Sequence, residues 1–248
     1  MSRLGTFILF SALSFGAAAE EMLPAYNSYQ SVPFVVGDGG LAADLVNYVN
    51  GKLKGKYQFK LTQVQRDGLN KTIAEPNFKG AVLFLSPAFV NDAAKTKFTW
   101  TQAVLHDANA VISQGSRKLE YTGADALKGL KFAGVKGNRY AGLEERFGKD
   151  IQREDVNEEL SNIKKVVAGK ADVTIMSSST YRYLMKQMGK ENAERSNLYT
   201  SSKPHAEFDR YIFVGKDNTV LAKELDTVIA GMKSDPAWKA VLVKYGID

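Results

Sequence analysis

Short apolar runs alternate with amphipathic stretches along most of this chain. Five runs are short, apolar and rich in β-branched or aromatic side chains, which is the pattern of buried β-strands. They cover residues 82–85, 110–112, 131–135, 173–176 and 211–214. Between them, apolar residues recur at the spacing of an amphipathic helix. This alternation predicts an α/β protein.

Four stretches have a clear apolar face at helical spacing. In chain order, the apolar positions of the four stretches are Leu41, Leu45, Val46, Val49 and Leu53; Leu160, Ile163, Val166 and Val167; Leu221, Leu225, Val228, Ile229 and Met232; and Trp238, Val241, Leu242 and Tyr245. Gly169 is expected to stop the second helix and Pro236 to open the fourth. The sequence shows no internal repeat and no low-complexity linker. If the chain has two lobes, strand-like crossings near residues 105–110 and 201–208 must join them.

The first nineteen residues have the layout of a secretory signal peptide. Arg3 precedes an apolar run over residues 4–15, and alanines 17–19 stand just before Glu20. Such a run is too short for a permanent spanning helix, which needs about 20 apolar residues. We therefore expect export, removal of residues 1–19 and a mature chain that begins at or very near Glu20.

The chain of 248 residues contains no cysteine. It therefore offers no lipid attachment site at the cleavage point, no disulfide and no thiolate metal site. An exported chain without a lipid stays at work where an outer boundary retains it, so we expect the periplasm of a Gram-negative cell, with full secretion as the second choice. The formal net charge of +6 is spread along the chain without a basic block, so nucleic acid is not an expected partner.

Six motifs follow one another between residues 23 and 248. They are Val32-Pro33-Phe34 with the helix around Asp44, the Gln-Arg-Asp-Gly-Leu of 65–69, Phe98-Thr99-Trp100, residues 127–137, residues 167–173, and an ending over 208–246 with strand, helix, Asp-x-x-Trp and Lys-Tyr-Gly. In content and order they resemble the bacterial extracellular solute-binding proteins of family 3, the amino-acid type.

The resemblance implies a periplasmic-binding-protein-like (type II) fold with two α/β lobes joined by a two-strand hinge. Residues 20–107 and 205–248 would form the first lobe, and residues 108–204 the second. The lobes would close on a small-molecule solute and deliver it to an ABC permease in the inner membrane. We expect a monomer, with no cofactor and no bound metal.

Two charges that the family uses to bind α-amino acids are missing at the matching positions. The family's carboxylate-binding Arg falls on Asn91 or Asp92, and its amine-binding Asp falls on Ser177. Neither Asn nor Asp can replace a bidentate Arg–carboxylate contact, so a common free amino acid is a doubtful solute.

Two other guanidinium groups stand where the family places ligand contacts. Arg66 occupies the position where the family has an aromatic stacking residue. Arg139 lies where the family has a Gly-Ser-Thr segment at a helix N-terminus. Together they would suit a carboxylate, phosphate or sulfonate. The alternative is that both lie on solvated rims.

The remaining candidates are aromatic or hydroxyl-bearing. Tyr29 matches the family's stacking tyrosine, and Ser86 follows an apolar strand. The hydroxyls of residues 177–180 either bind a solute or cap the helix expected near Tyr181. The complete set of expected ligand-binding residues is Tyr29, Arg66, Ser86, Phe89, Asp92, Trp100, Asn138, Arg139, Tyr140 and Ser177.

Sequence signals of catalysis are weak, and we do not expect an enzyme. His106 and His205 have no carboxylate at a revealing spacing, and no catalytic motif is present. A hydro-lyase on the same fold would need a titratable pair in the cleft, with Asp92 and either His106 or Glu207 as the best choice. A second alternative is a sensing module that docks on a membrane receptor.

Overall fold

The computed structural model describes residues 20–189 and 192–247. Within them the chain forms nine β-strands and seven α-helices. In chain order these are β1 (Glu21–Asn27), α1 (Leu41–Lys52), β2 (Tyr57–Gln63), α2 (Arg66–Ala74), β3 (Ala81–Leu85), β4 (Phe98–Gln114), β5 (Lys131–Val135), β6 (Gln152–Val156), α3 (Glu159–Val167), β7 (Val173–Ser177), α4 (Ser178–Met188), α5 (Ala193–Ser196), β8 (Leu198–Thr200), β9 (Ala206–Gly215), α6 (Thr219–Met232) and α7 (Pro236–Tyr245). The expected signal peptide, residues 1–19, lies outside the described residues.

The apolar pattern of the sequence predicted five of these strands and four of these helices. The five apolar runs lie in β3, β4, β5, β7 and β9, and the four amphipathic stretches form α1, α3, α6 and α7. Gly169 follows α3 with a φ of +68°, a left-handed conformation that stops the helix. Pro236 is the first residue of α7. The α/β prediction is confirmed.

The strands form one mixed sheet in the order β2-β1-β3-β9-β4-β7-β5-β6, with β8 paired to β4. In the first half, β1 pairs in parallel with both β2 and β3. In the second half, β5 pairs in parallel with both β6 and β7. Parallel neighbours have their carboxyl ends at the same edge. Each half therefore presents one edge where strands end and ligand-binding groups can gather.

The long antiparallel strands β4 and β9 join the two halves. Ala103 of β4 pairs with Tyr211, which is level with Leu85 at the end of β3. Farther along β4, Asn109 pairs with Ser177 at the end of β7. The six residue steps from Ala103 to Asn109 span about 20 Å. The carboxyl ends of β3 and β7 therefore point toward each other across this central stretch of β4 and β9.

Buried apolar side chains of the described residues form separate clusters on the two sides of this stretch. One cluster packs α1, α6 and α7 on the first half, and another packs α2 against β3 and β9. Three further clusters have all their buried members between residues 110 and 185. The apolar clusters of the described residues thus fall into two groups, one on each side of the crossing strands.

Two expected helix starts differ from the structure. The helix expected near Tyr181 begins earlier, at Ser178. The prediction that Arg139 lies at the start of a helix is wrong, because residues 141–146 form successive turns. Gly142 and Gly148 there have φ values near +80°, which a regular α-helix cannot include.

None of the described helices is both long enough and apolar enough to span a membrane.

Candidate functional site

The carboxyl ends of the first-half strands bring three of the expected ligand-binding residues to one edge. Arg66, Tyr29 and Ser86 follow β2, β1 and β3, which are neighbours in the sheet. Because Asn27 at the end of β1 pairs with Gln63 at the end of β2, Tyr29 and Arg66 leave this edge at the same height. The contact of these three residues with a solute stays a prediction.

A buried ion pair lies between the two edges. The Arg210 Nε donates to the Asp107 Oδ2 over 2.8 Å, with side-chain exposures of 2% and 1%. Asp107 also accepts the backbone N–H and the hydroxyl of Ser179 in α4, at 3.1 and 2.7 Å, and the N–H of Ala108 at 2.9 Å. The pair links β4, β9 and the first turn of α4, so it joins both halves at the centre of the molecule.

Three aromatic rings surround the Arg210 guanidinium. Its central carbon lies 4.5 Å from the Tyr29 ring centroid, 4.7 Å from that of Phe34 and 4.9 Å from that of Phe208. Tyr29 also stacks on Phe34 at 4.7 Å. Guanidinium–aromatic contacts of this kind are worth about 0.5–2 kcal/mol each. They fix Arg210 and Tyr29 against each other at the edge of the first half.

Backbone strain lies directly beside this cage. Phe84 is fully buried inside β3 with a φ of +63°, and the pairing of β3 with β9 shifts register there. A bulky residue in the left-handed region is a rare outlier. The Phe84 carbonyl accepts the Arg210 Nη1 at 3.3 Å. Strain held by its surroundings occurs preferentially at functional sites, so it supports this region as the candidate site.

The first turn of α4 is occupied by the chain's own groups. Ser177 caps the helix, and its hydroxyl accepts the Thr180 N–H at 3.3 Å. The Thr180 hydroxyl donates to the Val32 carbonyl of the first half at 2.6 Å. The expected capping role of Ser177 is thus present in the structure. Its contact with a solute stays a prediction.

Arg66 and Ser86 keep polar groups that the protein itself does not use. Arg66 is the first residue of α2, and its Nη1 is buried without a hydrogen-bond partner among the described residues. A buried unpaired donor costs about 1–3 kcal/mol, so a partner from outside the chain would relieve it. Ser86 is 8% exposed and begins the 3-10 helix Pro87–Val90 without a capping hydrogen bond. The contact of either group with a solute stays a prediction.

Asp92 is 2% exposed and holds its own loop together. Its carboxylate accepts the N–H groups of Thr96, Lys97 and Phe98 and the indole Nε1 of Trp100, at 2.7–3.2 Å. Burial alone would raise the pKa of Asp92, but these hydrogen bonds outweigh it and hold the pKa below its ordinary value. Asp92 and the Trp100 indole therefore stabilise this loop.

Two aromatic candidates differ in their surroundings. Phe89 is 41% exposed and makes an edge-to-face contact with Phe208 at 5.0 Å, so it borders the aromatic cage. Trp100 packs against Phe213 at 4.5 Å and belongs to the apolar cluster beneath β3. Of these two, Phe89 is the better placed to meet a solute.

The turn after β5 carries the second-half candidates. Asn138 and Arg139 are exposed, whereas Tyr140 is buried and its hydroxyl accepts the Val135 N–H at 3.0 Å. Arg153 donates to the Asn138 carbonyl at 2.9 Å and lies over the Tyr140 ring. Arg139 therefore stands on a braced turn at the carboxyl end of β5, without the helix dipole that the sequence suggested. Tyr140 belongs to the core below it.

The histidines are engaged elsewhere. The His106 Nδ1 lies 2.9 Å from Asp209, and that pair is partly exposed. The His205 Nδ1 lies 2.8 Å from the Tyr121 hydroxyl, and burial lowers the pKa of His205. Among the described residues, no group of three His, Cys, Asp or Glu side chains is arranged to hold a metal.

A cavity of about 210 Å³ lies at the opposite edge of the sheet, where β1 and β3 begin. Glu21, Lys79, Gly80 and Asp217 are among the residues that line it. None of the expected ligand-binding residues lies there.

Sequence reasoning missed Asp107, Arg210, Phe34 and Phe208 as members of the site. The available signal was the position of two opposite charges in or beside the two expected crossing segments. Asp107 lies within 105–110, and Arg210 directly precedes the apolar run 211–214.

Comparisons with known proteins show the fold. No protein-family model matches the sequence, and none of the curated proteins is similar to it. The solved ligand-binding core of GluR0 from Nostoc punctiforme, in complex with L-glutamate, is similar with a TM-score of 0.67 and 14% identity, covering 91% of this chain and 100% of that one. An arginine-specific periplasmic binding protein of Salmonella typhimurium has a TM-score of 0.62 and 16% identity, covering 91% and 99%.

A third similar structure is the ancestral cationic amino-acid solute-binding protein AncCDT-1, with a TM-score of 0.68 and 15% identity, covering 91% of this chain and 95% of that one. That ancestral protein is also described as a precursor of cyclohexadienyl dehydratase. These similarities and the topology above establish the type II periplasmic-binding-protein fold, with two α/β lobes joined by two strands.

Proposed function

We propose that this chain is an exported binding protein of the family 3 type. It captures a small anionic solute in the cleft between its lobes and delivers it to an ABC permease of the inner membrane. Residues 20–107 and 205–248 form the first lobe, and residues 108–204 the second. The apolar clusters divide along the same boundary, which supports the assignment. Residues 1–19 act as the signal peptide, and the periplasm is the site of action.

The observation that carries this proposal is the meeting of strand ends from both lobes at the crossing strands. Open α/β sheets bind ligands outside the carboxyl ends of their strands. In this chain the edge of the first lobe presents the unpaired Arg66 Nη1, the Ser86 hydroxyl and the Tyr29 ring. The edge of the second lobe presents the exposed Arg139. Two guanidinium groups at facing edges favour a negatively charged solute.

Catalysis is disfavoured by the contacts of the residues that would have to perform it. The Asp92 carboxylate is enclosed by four donors, and His106 pairs with Asp209. In a strand, neighbouring side chains point to opposite faces, so Glu207 and Phe208 lie on opposite sides of β9. Phe208 contacts Arg210 in the cage, so Glu207 faces away from it. A hydro-lyase would lack a free acid–base pair at this position.

Thermal-shift screening of the mature protein tests the binding function. A solute that binds only the folded state raises stability by about 2.7 kcal/mol at a concentration of 100 times its dissociation constant. Small anionic metabolites are expected to raise the melting temperature. Stabilisation by neutral or cationic amino acids alone would refute the anionic solute, and no stabilisation by any small solute would refute the binding function.

Replacing Arg139 by Ala tests the contribution of the second lobe. Loss of a hydrogen bond to a charged group is expected to weaken solute binding by about 1.5–3 kcal/mol. Lys149→Ala is the matched control, because Lys149 is an exposed cation on the same loop. Equal solute affinities of the two variants would show that Arg139 lies on the solvated rim of the cleft and does not contact the solute.

Delivery to a permease and sensing by a receptor differ in their gene context. Adjacent permease and ATPase genes would support uptake. An isolated gene, or a neighbouring kinase gene, would support the sensing alternative.

A further inference from the structure

The carboxylates of the crossing strands are either used by the protein's own donors or lie on the face of β9 opposite the aromatic cage. We infer that the solute is a small anion without an ammonium group, and not an α-amino acid. This inference rests on the proposed function and names the chemical class of its solute. It follows from how the acceptors and donors of the cleft are already used by the protein.

Asp107 has no acceptor site left for an ammonium group. An ionised carboxylate offers about four lone-pair sites. Oδ1 accepts the N–H groups of Ala108 and Ser179, and Oδ2 accepts the Ser179 hydroxyl and the Arg210 Nε. The side chain is only 1% exposed. A solute ammonium would have to displace one of these donors and leave it buried without a partner.

The Asp92 carboxylate likewise has no free acceptor site. Oδ1 accepts the N–H groups of Thr96 and Lys97, and Oδ2 accepts the Phe98 N–H and the Trp100 Nε1. The two acidic residues of β9, Glu207 and Asp209, alternate along the strand with Phe208 and Arg210 and so lie on the other face, where Asp209 pairs with His106. The acidic groups of the central strands therefore cannot bind a cation in the cleft.

The α4 N-terminus is likewise unavailable to the carboxylate of an amino acid. Helix N-termini favour anions because their first N–H groups are free. Here the anion is Asp107, which accepts the Ser179 N–H, while the Thr180 N–H is capped by Ser177. An α-amino acid would thus find neither an open N-terminus at α4 nor a free carboxylate beside it.

The donors that remain favour an anion alone. The Arg66 Nη1 is buried and unpaired among the described residues, the Ser86 hydroxyl makes no capping bond, and Arg139 is exposed. All three can donate to an oxyanion. A positively charged amino group on the solute would be repelled by the two guanidinium groups and would lose part of its hydration.

Isothermal titration with matched pairs of probes tests this inference. Each pair shares a carbon skeleton and differs in the amino group: succinate with L-aspartate, glutarate with L-glutamate, and propionate with L-alanine. Inorganic phosphate and methanesulfonate form a further arm for other oxyanions. We expect at least one acid or oxyanion to bind, with every binding acid at least about tenfold tighter than its amino partner.

The outcomes separate this inference from the proposed function. If an amino acid binds as tightly as its acid partner, or if only amino acids bind, the solute class is refuted and the binding function stands. Binding of phosphate or methanesulfonate alone supports an anion without an ammonium group. If none of the eight probes binds, this solute class is refuted, and the broader thermal-shift screen decides whether the binding function falls with it.

Substitution of Arg66 provides a second measurement on the same site. Arg66→Met is expected to weaken binding of the best acid by at least about tenfold, because it removes a charged donor. Lys71→Met is the control, since Lys71 is an exposed cation on the same helix α2. If Arg66→Met binds the acid as tightly as Lys71→Met does, the solute is not held by the donor assigned to it and the inference fails.

Discussion

The Asp107 carboxylate and the Arg210 guanidinium meet across β4 and β9, with Oδ2 and Nε 2.8 Å apart and both side chains almost completely buried. The pair stands where the strand ends of the two lobes point toward each other. It also receives the first turn of α4 through Ser179. One interaction thereby connects both hinge strands with the second lobe.

Removal of one member of this pair is expected to be costly. Arg210→Met leaves the Asp107 charge buried without its cation, and breaking a buried ion pair in this way costs about 3–5 kcal/mol. Urea unfolding followed by circular dichroism measures the loss. The double variant Asp107→Asn/Arg210→Met should lose less than Arg210→Met, because the uncompensated charge is gone. A double variant that is less stable than the single one would contradict this explanation.

The Asp92 loop should lose stability at low pH. The pKa of Asp92 is lowered in the folded state, so its contribution is complete above the unfolded value of about 3.9 and is lost as the pH falls through the folded pKa. Asp92→Asn is expected to cost about 1.5–3 kcal/mol at pH 7. This cost should begin to shrink below about pH 4, where the carboxylate of the unfolded chain takes up a proton, and should fall further as the pH drops through the folded pKa.

Urea unfolding of both proteins between pH 3 and pH 7 checks this pH dependence, with ~0.5-unit steps across the range in which carboxylates titrate. Asp38→Asn serves as the control, because Asp38 is exposed. A cost of Asp92→Asn that stays constant over the whole range would show that the ionised form has no special stabilisation.

How far the sequence predicts this molecule depends on whether a feature is local. The strands β3, β5 and β7 carry continuous apolar runs, and those were located correctly. β6 has the sequence Gln-Arg-Glu-Asp-Val and no buried residue, so no apolar pattern indicates a strand there. It is a strand because it pairs along its length with β5 at the edge of the sheet. Only the assembled sheet defines it.

The same distinction applies to the candidate site. Ser86 directly follows a predicted strand, so the sequence could place it on the carboxyl edge, whereas β1 and β2, which precede Tyr29 and Arg66, were not among the predicted strands. Asp107 and Arg210 are 103 positions apart, and their contact depends on the register of β4 with β9. No local pattern contains that register, which is why the most buried part of the site was missed.

The turn beneath the aromatic cage should tolerate a side chain at Gly37 better than at Gly40. At Gly40 a Cβ would stand 2.4 Å from the Phe34 carbonyl oxygen, and φ is +119°. At Gly37 φ is +54° and no heavy atom lies within 4 Å. Gly37→Ala is expected to cost about 1–2 kcal/mol for its left-handed backbone. Gly40→Ala should cost at least about 1 kcal/mol more, because the chain must also move.

Thermal unfolding of the two glycine variants measures this difference. Because Phe34 packs on Arg210, Gly40→Ala should also weaken solute binding, while Gly37→Ala should leave it unchanged. Equal stability of the two variants would mean that the close approach of Gly40 to Phe34 does not constrain the fold.

Closure of the lobes should depend on Lys186. This side chain of α4 donates to the carbonyl oxygens of Val243 and Lys244 at the end of α7, where a cation is also favoured by the helix dipole. The contact joins the second lobe to the first. Lys186→Met is therefore expected to shift the solute-free protein toward an open form, and small-angle scattering should show a larger radius of gyration.

The same shift should weaken binding. If only a fraction of the protein is competent to bind, the apparent dissociation constant rises by the inverse of that fraction, and we expect roughly a two- to tenfold increase for Lys186→Met. Lys170→Met is the control, because Lys170 is exposed beyond the end of α3. Unchanged scattering together with unchanged affinity would show that the α4–α7 contact is present in the structure without controlling closure.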